Sequence, residues 1–152
     1  MKKYKGTIPQ FNLKKIQTDF PKAKVTSSRD GAEFIRQFYG DDIEIFESFF
    51  ILMLNNSNNT IGYAKISQGG LTGTVVDIRI IAKYCVDSLA TACIMAHNHP
   101  SGKRAPSNAD KQITKKVKDG LALLDIKVLD HLIITSDNGY YSFADECEPS
   151  IQ

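Results

Sequence analysis

The chain has 152 residues, 42% of them hydrophobic and 24% charged, with a net charge of +2. That length fits one domain with room for a short extension, and the apolar share excludes a globally disordered chain. The small positive excess falls short of the basic patch of a dedicated nucleic-acid binder. Lysines gather weakly at Lys2-Lys3, Lys14-Lys15 and Lys115-Lys116-Lys118, which read as solvated faces. No run is long and apolar enough to span a bilayer, and no apolar core follows the basic Met1–Gly6 segment, so the expected location is cytoplasmic with no membrane contact. Cys85, Cys93 and Cys147 fit neither a disulfide framework nor a Cys-x-x-Cys zinc knuckle. Cys85 and Cys93 read as small buried hydrophobes and Cys147 as incidental.

Residues 1–26 lack clean periodicity and read as an N-terminal extension, with one extended piece near Ala23–Thr26 reaching a domain over 27–144. Asp30 and Glu33 read as a capping box before a helical face of Phe34, Ile35, Phe38 and Tyr39, which Gly40 stops. Ile45–Leu54 reads as a buried strand, Asn55–Asn59 as a turn and Ile61–Ser67 as the second strand of a hairpin ended by Gly69-Gly70. Asp77 caps a helix turning Ile78, Ile81, Ala82, Cys85 and Leu89 inward. Thr91–Ala96 is a short buried strand ending at His97.

Ser107 then caps a helix whose stripe is Ile113, Val117, Leu121 and Leu124. It runs through Gly120 at a cost of about 1 kcal/mol relative to alanine. Ile126–Thr135 is a strand, Asp137-Asn138-Gly139 a turn and Tyr140–Phe143 a last strand, followed by an acidic, frayed tail over 145–152. Helices interleaved with buried strands give an α/β class, a single layered domain whose central sheet is mixed because of the hairpins.

The chemistry concentrates in residues 96–110. In a strand, residues two apart share a side, so a strand continued to His99 projects His97 and His99 together and Asn98 the other way. Asp110 sits in the first turn of the following helix, which the Pro-Ser-Gly and Ala-Pro turns can fold back over the histidines. Two imidazoles, one carboxylate and a fourth position for water make the pattern of a catalytic rather than a structural zinc site. Such a hydrolase needs a base, and Glu47, a carboxylate in an apolar strand facing the same way as Phe49 and Ile51, is the candidate. Ser107 can cap its helix and also donate to an oxyanion. Each feature has a plainer reading: a capping box, surface histidines, a strand-edge glutamate paired with lysine. Their joint occurrence is what weighs.

Glu47, His97-Asn98-His99-Pro100, six further residues and Ser107-Asn108-Ala109-Asp110 resemble the JAMM motif of the JAB/MPN superfamily in its RadC-like form. Leu129-Asp130-His131-Leu132-Ile133-Ile134 is similar to the Asp-His-x-Ile-Ile segment of the same family. The resemblance covers roughly residues 28–143. It implies a central mixed sheet flanked by helices, related to cytidine deaminases, although the His-x-Glu and Cys pair of those enzymes are absent. It implies zinc held by His97, His99 and Asp110, Glu47 as general acid/base and Ser107 as oxyanion support. His131 is given a supporting or packing role rather than ligation. It further implies hydrolysis of peptide or isopeptide bonds in a protein or peptide substrate, as a zinc metallopeptidase. The alternative is a non-catalytic zinc-binding interaction domain or DNA-associated factor. The family's association with DNA repair goes with a helical segment that the 26 or so residues ahead of the domain are too few to hold. Substrate and oligomeric state stay open.

Overall fold

Alternation along two central strands sets the architecture. The structure, a computed structural model, describes residues 7–10, 14–70 and 75–152; the basic Met1–Gly6 segment, with Lys2-Lys3, lies outside them. Strands β1 (Ser48–Leu54) and β3 (Ala92–Asn98) are buried along their whole length, as strands covered on both faces must be. Phe49, Ile51, Met53, Cys93 and Met95 point to one face, and Leu52, Leu54, Ile94 and Ala96 to the other. Helix α1 (Ser28–Arg36) covers the second face with Ala32, Phe34 and Ile35. Helices α2 (Ile78–Asp87) and α3 (Asn108–Ala122) cover the first through Ile81, Cys85, Val117 and Leu121.

Strands β2 (Thr60–Gln68), β4 (Lys127–Ile134) and β5 (Tyr140–Ser142) complete a five-stranded sheet ordered β2-β1-β3-β4-β5. β3 and β4 run parallel, as their connection through α3 requires, and the other neighbours are antiparallel. This is the α/β layered fold with a mixed sheet that the sequence leads one to expect. Register places Phe49 opposite His97 and Met95 opposite His131. Both imidazoles therefore lie on the α3 face.

Several local expectations shift. The N-cap of α1 is Ser27, with Asp30 at the third helical position, because the Asp30 carboxylate accepts from Thr26 N, Thr26 Oγ1 and Ser27 N at 2.6–3.0 Å. The helix gives way at Gln37, short of Gly40. β1 begins at Ser48 rather than Ile45, since residues 41–45 form turns and leave Ile45 and Phe46 51% and 40% exposed. Leu89 faces solvent, not the core. It takes the left-handed conformation (φ 57°) after α2, and the Ala90 N–H closes on the Cys85 carbonyl. Leu124 is likewise half exposed beyond the end of α3, and Ile126 takes the inward place.

Gly120 has a packing reason. A Cβ there would collide with the Ile78 side chain on α2. The C-terminal tail is not frayed: Ile151 packs on Ile133 and Phe143, and Glu148 binds Lys111 and Tyr141. Asp130 secures the turn into it, accepting from Ser142 Oγ and Ala144 N. Ahead of α1, Lys24 bridges Asn59, Val25 is buried and Phe20 packs on Phe38 and Tyr63. Cys85 and Cys93 are buried free thiols, and Cys147 is exposed. No helix among the described residues is long and apolar enough to cross a membrane.

Candidate metal centre

The site forms where the carboxyl end of β3 meets the amino end of α3. His97 is still in the ladder of β3, opposite Phe49, and is 1% exposed. His99 lies just past the strand, its backbone N–H held by the Ile134 carbonyl at 3.2 Å. Asp110 is fixed by a reciprocal capping box: Ser107 N donates to Asp110 Oδ2 at 2.7 Å, and Asp110 N donates to Ser107 Oγ at 3.1 Å. One carboxylate oxygen is thus tied to the backbone at the edge of the site, and the histidines converge on the same group.

The candidate ligand atoms lie close together. His97 Nε2 and His99 Nε2 are 2.9 Å apart, His97 Nε2 and Asp110 Oδ1 3.3 Å, and His99 Nε2 and Asp110 Oδ2 3.4 Å. Around a tetrahedral ion with bonds of about 2.0–2.1 Å, ligand atoms stand roughly 3.3–3.4 Å from one another, the separation of each imidazole nitrogen from an Asp110 oxygen. The tautomer of His99 fits as well. Its Nδ1 lies 2.7 Å from the Lys103 carbonyl, which only accepts, so Nδ1 carries the proton and a neutral ring bares Nε2 toward the cluster. Burial opposes ionisation of Asp110, but both imidazoles and the Ser107 N–H outweigh it and hold the carboxyl well below the ordinary range. Burial also disfavours a charged His99. Asp110, the Lys103 carbonyl and the charge of Glu47 overcome this and raise its pKa. The centre therefore favours positive charge, whether from a proton or a metal ion. His97, His99 and Asp110 can hold a metal ion.

Glu47 is not in this group. It lies in the loop immediately before β1, half-buried rather than within a buried strand, with its carbonyl accepting from Gly69 N at 2.8 Å. The same loop is pinned by Asn98, a residue the sequence shows only as the spacer between the histidines. Fully buried on the opposite face, Asn98 accepts from Ser48 N at 2.7 Å and donates to the Ile43 and Phe46 carbonyls at 2.6 and 2.8 Å. An amide placed between two histidines, on a face that otherwise reads apolar, was the available signal. The Ser107 hydroxyl, already an acceptor in the cap, keeps its own proton to donate. His131 stands outside the group of His97, His99 and Asp110. It is fully buried between His97 and Thr114, and its ring stacks on Phe143 at 4.8 Å. Thr114 is the other residue sequence reasoning missed; it stands four positions after Asp110, on the same helical face.

The family model described as the RadC-like JAB domain matches residues 25–148. A UPF0758 protein of Flavobacterium johnsoniae is 50% identical over 123 residues, which are 81% of this chain and 52% of that protein. A UPF0758 protein of Porphyromonas gingivalis is 42% identical over 122 residues, 80% of this chain and 53% of the relative. UPF0758 protein CT0611 of Chlorobaculum tepidum is 38% identical over 122 residues, 80% of this chain and 54% of the relative. The chain spans about half the length of these curated relatives. With most of its length matched by the family model and the His-His-Asp group in place, the chain belongs to the RadC-like JAB domain family.

Proposed function

We propose that this domain is a zinc-dependent hydrolase of peptide or isopeptide bonds, with His97, His99 and Asp110 holding the metal. The observation that supports it most is the convergence of two imidazole nitrogens, 2.9 Å apart, on the Asp110 carboxylate, with His97 Nε2 3.3 Å from Oδ1 and His99 Nε2 3.4 Å from Oδ2. Bound there, zinc would act as a Lewis acid and make water easier to ionise. Glu47, whose charge helps to raise the His99 pKa, takes the proton from the attacking water and returns it to the leaving amine. The Ser107 hydroxyl donates to the oxygen that becomes negative at the scissile carbonyl. The β3 ladder and the α3 cap keep the three donors in place before substrate arrives, so little reorganisation accompanies the reaction.

A peptide or protein substrate is preferred to DNA. The lysines of α3 are partly committed, Lys111 to Glu148 and Lys115 to Asp119, and leave no strong basic track. Metal analysis and turnover on a panel of peptide and isopeptide substrates test the assignment. His97→Ala and Asp110→Ala are expected to lose stoichiometric zinc, whereas Glu47→Gln keeps it and loses hydrolysis. Full hydrolysis by the Glu47→Gln protein sinks the mechanism.

A further inference from the structure

We propose that Thr114 and His131 are positioning residues that set the tautomer of His97, so that its Nε2 lone pair is presented to the metal. This deepens the metal-centre reading and rests on it.

The assignment follows from which atoms can donate. Thr114 Oγ1 lies 2.6 Å from the Asp110 carbonyl, and a carbonyl can only accept, so the single hydroxyl proton of Thr114 goes there. With that proton used, Thr114 Oγ1 can only accept from His131 Nδ1, 2.6 Å away, so His131 Nδ1 carries a proton. His131 is fully buried, and among the described residues no carboxylate is hydrogen-bonded to either of its nitrogens, so it is the neutral ring. A neutral imidazole with its proton on Nδ1 is an acceptor at Nε2. His131 Nε2 lies 2.8 Å from His97 Nδ1, which must therefore donate. His97 Nε2 is left bare, 2.9 Å from His99 Nε2 and 3.3 Å from the Asp110 carboxylate. The relay starts and ends on one residue: the backbone carbonyl of Asp110 orients the hydroxyl, and the side chain of Asp110 shares the metal with the imidazole at the far end. Phe143, stacked on His131, keeps the intermediate ring from rotating. On the other histidine the Lys103 carbonyl does the same task in one step. Both ligands are thus tautomerically fixed by fold elements remote from each other in sequence.

The chain has three histidines, which makes the test tractable. Nitrogen-15 spectra of the metal-stripped protein, taken above the pH at which histidines titrate, report the protonated nitrogen of each ring. All three are expected to be protonated on Nδ1. Thr114→Val keeps the shape and removes the hydroxyl. It is expected to release His131 and give His97 a mixed or Nε2-protonated spectrum, and to weaken Zn²⁺ binding about 10–100-fold in chelator competition. Thr114→Ser, which keeps the hydroxyl, is expected to restore both readouts. A packing role alone would change the melting temperature and leave the tautomer as it is. The relay is overturned if wild-type His97 is protonated on Nε2, or if Thr114→Val keeps both the wild-type spectrum and the wild-type Zn²⁺ affinity. Should Thr114→Val not fold, His131→Gln decides, since an amide can accept from His97 and donate to Thr114: retained Zn²⁺ affinity supports the relay, and a loss as large as that of His97→Ala refutes it. A wild-type protein that binds no Zn²⁺ refutes the metal centre itself, and the nitrogen spectrum then decides on the relay alone.

Discussion

Replacing Asn98 by alanine should detach the Glu47 loop while sparing His97, His99 and Asp110. The side chain makes three hydrogen bonds at 2.6–2.8 Å, to Ser48 N and to the carbonyls of Ile43 and Phe46, from a fully buried position. At a net ~0.5–1.5 kcal/mol each, their loss removes about 1.5–4.5 kcal/mol from the closed loop. A domain of this size retains about 5–15 kcal/mol, so the fold survives. His97 stays in the β3 ladder, and zinc content should not change. Hydrogen exchange reads the loop directly: the Ser48 amide should lose roughly one to three decades of protection, at about 1.4 kcal/mol per decade. A general base displaced by about 1 Å can cost ~100-fold in rate, so turnover should fall at unchanged zinc. Asn98→Asp should be worse than alanine. It keeps the acceptor for Ser48 N but sets a negative charge against two carbonyls. Wild-type Ser48 protection in Asn98→Ala, or loss of zinc with the loop still protected, would refute the reasoning.

Two further outcomes concern packing and acid stability. Gly120→Ala should destabilise, because overpacking against Ile78 costs about 1–3 kcal/mol against a helix gain of about 1 kcal/mol; in an Ile78→Val background, which deletes the colliding methyl, the same change should become neutral or stabilising by denaturant midpoint. Asp137 has its carboxyl held at about 2 by the Thr135 hydroxyl, then by Arg104 and the Gly139 N–H. Because the folded value lies below the ordinary 3.8, its contribution is fully present above that pH and lost as pH falls toward about 2. Asp137→Asn should therefore lower the melting temperature at neutral pH and narrow its gap to wild type on acidification; an unchanged gap between pH 5 and pH 2 would refute this, on a titration window of roughly this width.

The parts of the site legible in the sequence are those governed by local physics. The two-residue spacing of His97 and His99 and the Ser-x-x-Asp cap at Ser107 and Asp110 are local features, although β3 ends at Asn98 and the Ile134 carbonyl holds His99 just beyond it. The caps at Asp77 and Ser107 are where local reasoning puts them. At α1 the same reasoning puts the cap at Asp30, three residues late, because the Asp30 carboxylate finds three donors just upstream and the cap falls at Ser27. What the sequence could not supply depends on partners distant along the chain. The register of β1 on β3, with Phe49 opposite His97, decides that Glu47 falls outside the strand. The parallel register of β3 on β4 sets His131 beside His97 and Thr114. Asn98 reads as a spacer until the loop fifty residues earlier folds over its amide. A tail of acidic residues looks unanchored until Phe143 and Ile133 receive Ile151. Periodicity and capping act within one turn or one pleat, so sequence alone marks His97, His99 and Asp110. Strand pairing acts across the whole chain, so the tertiary structure decides which buried polar groups surround them.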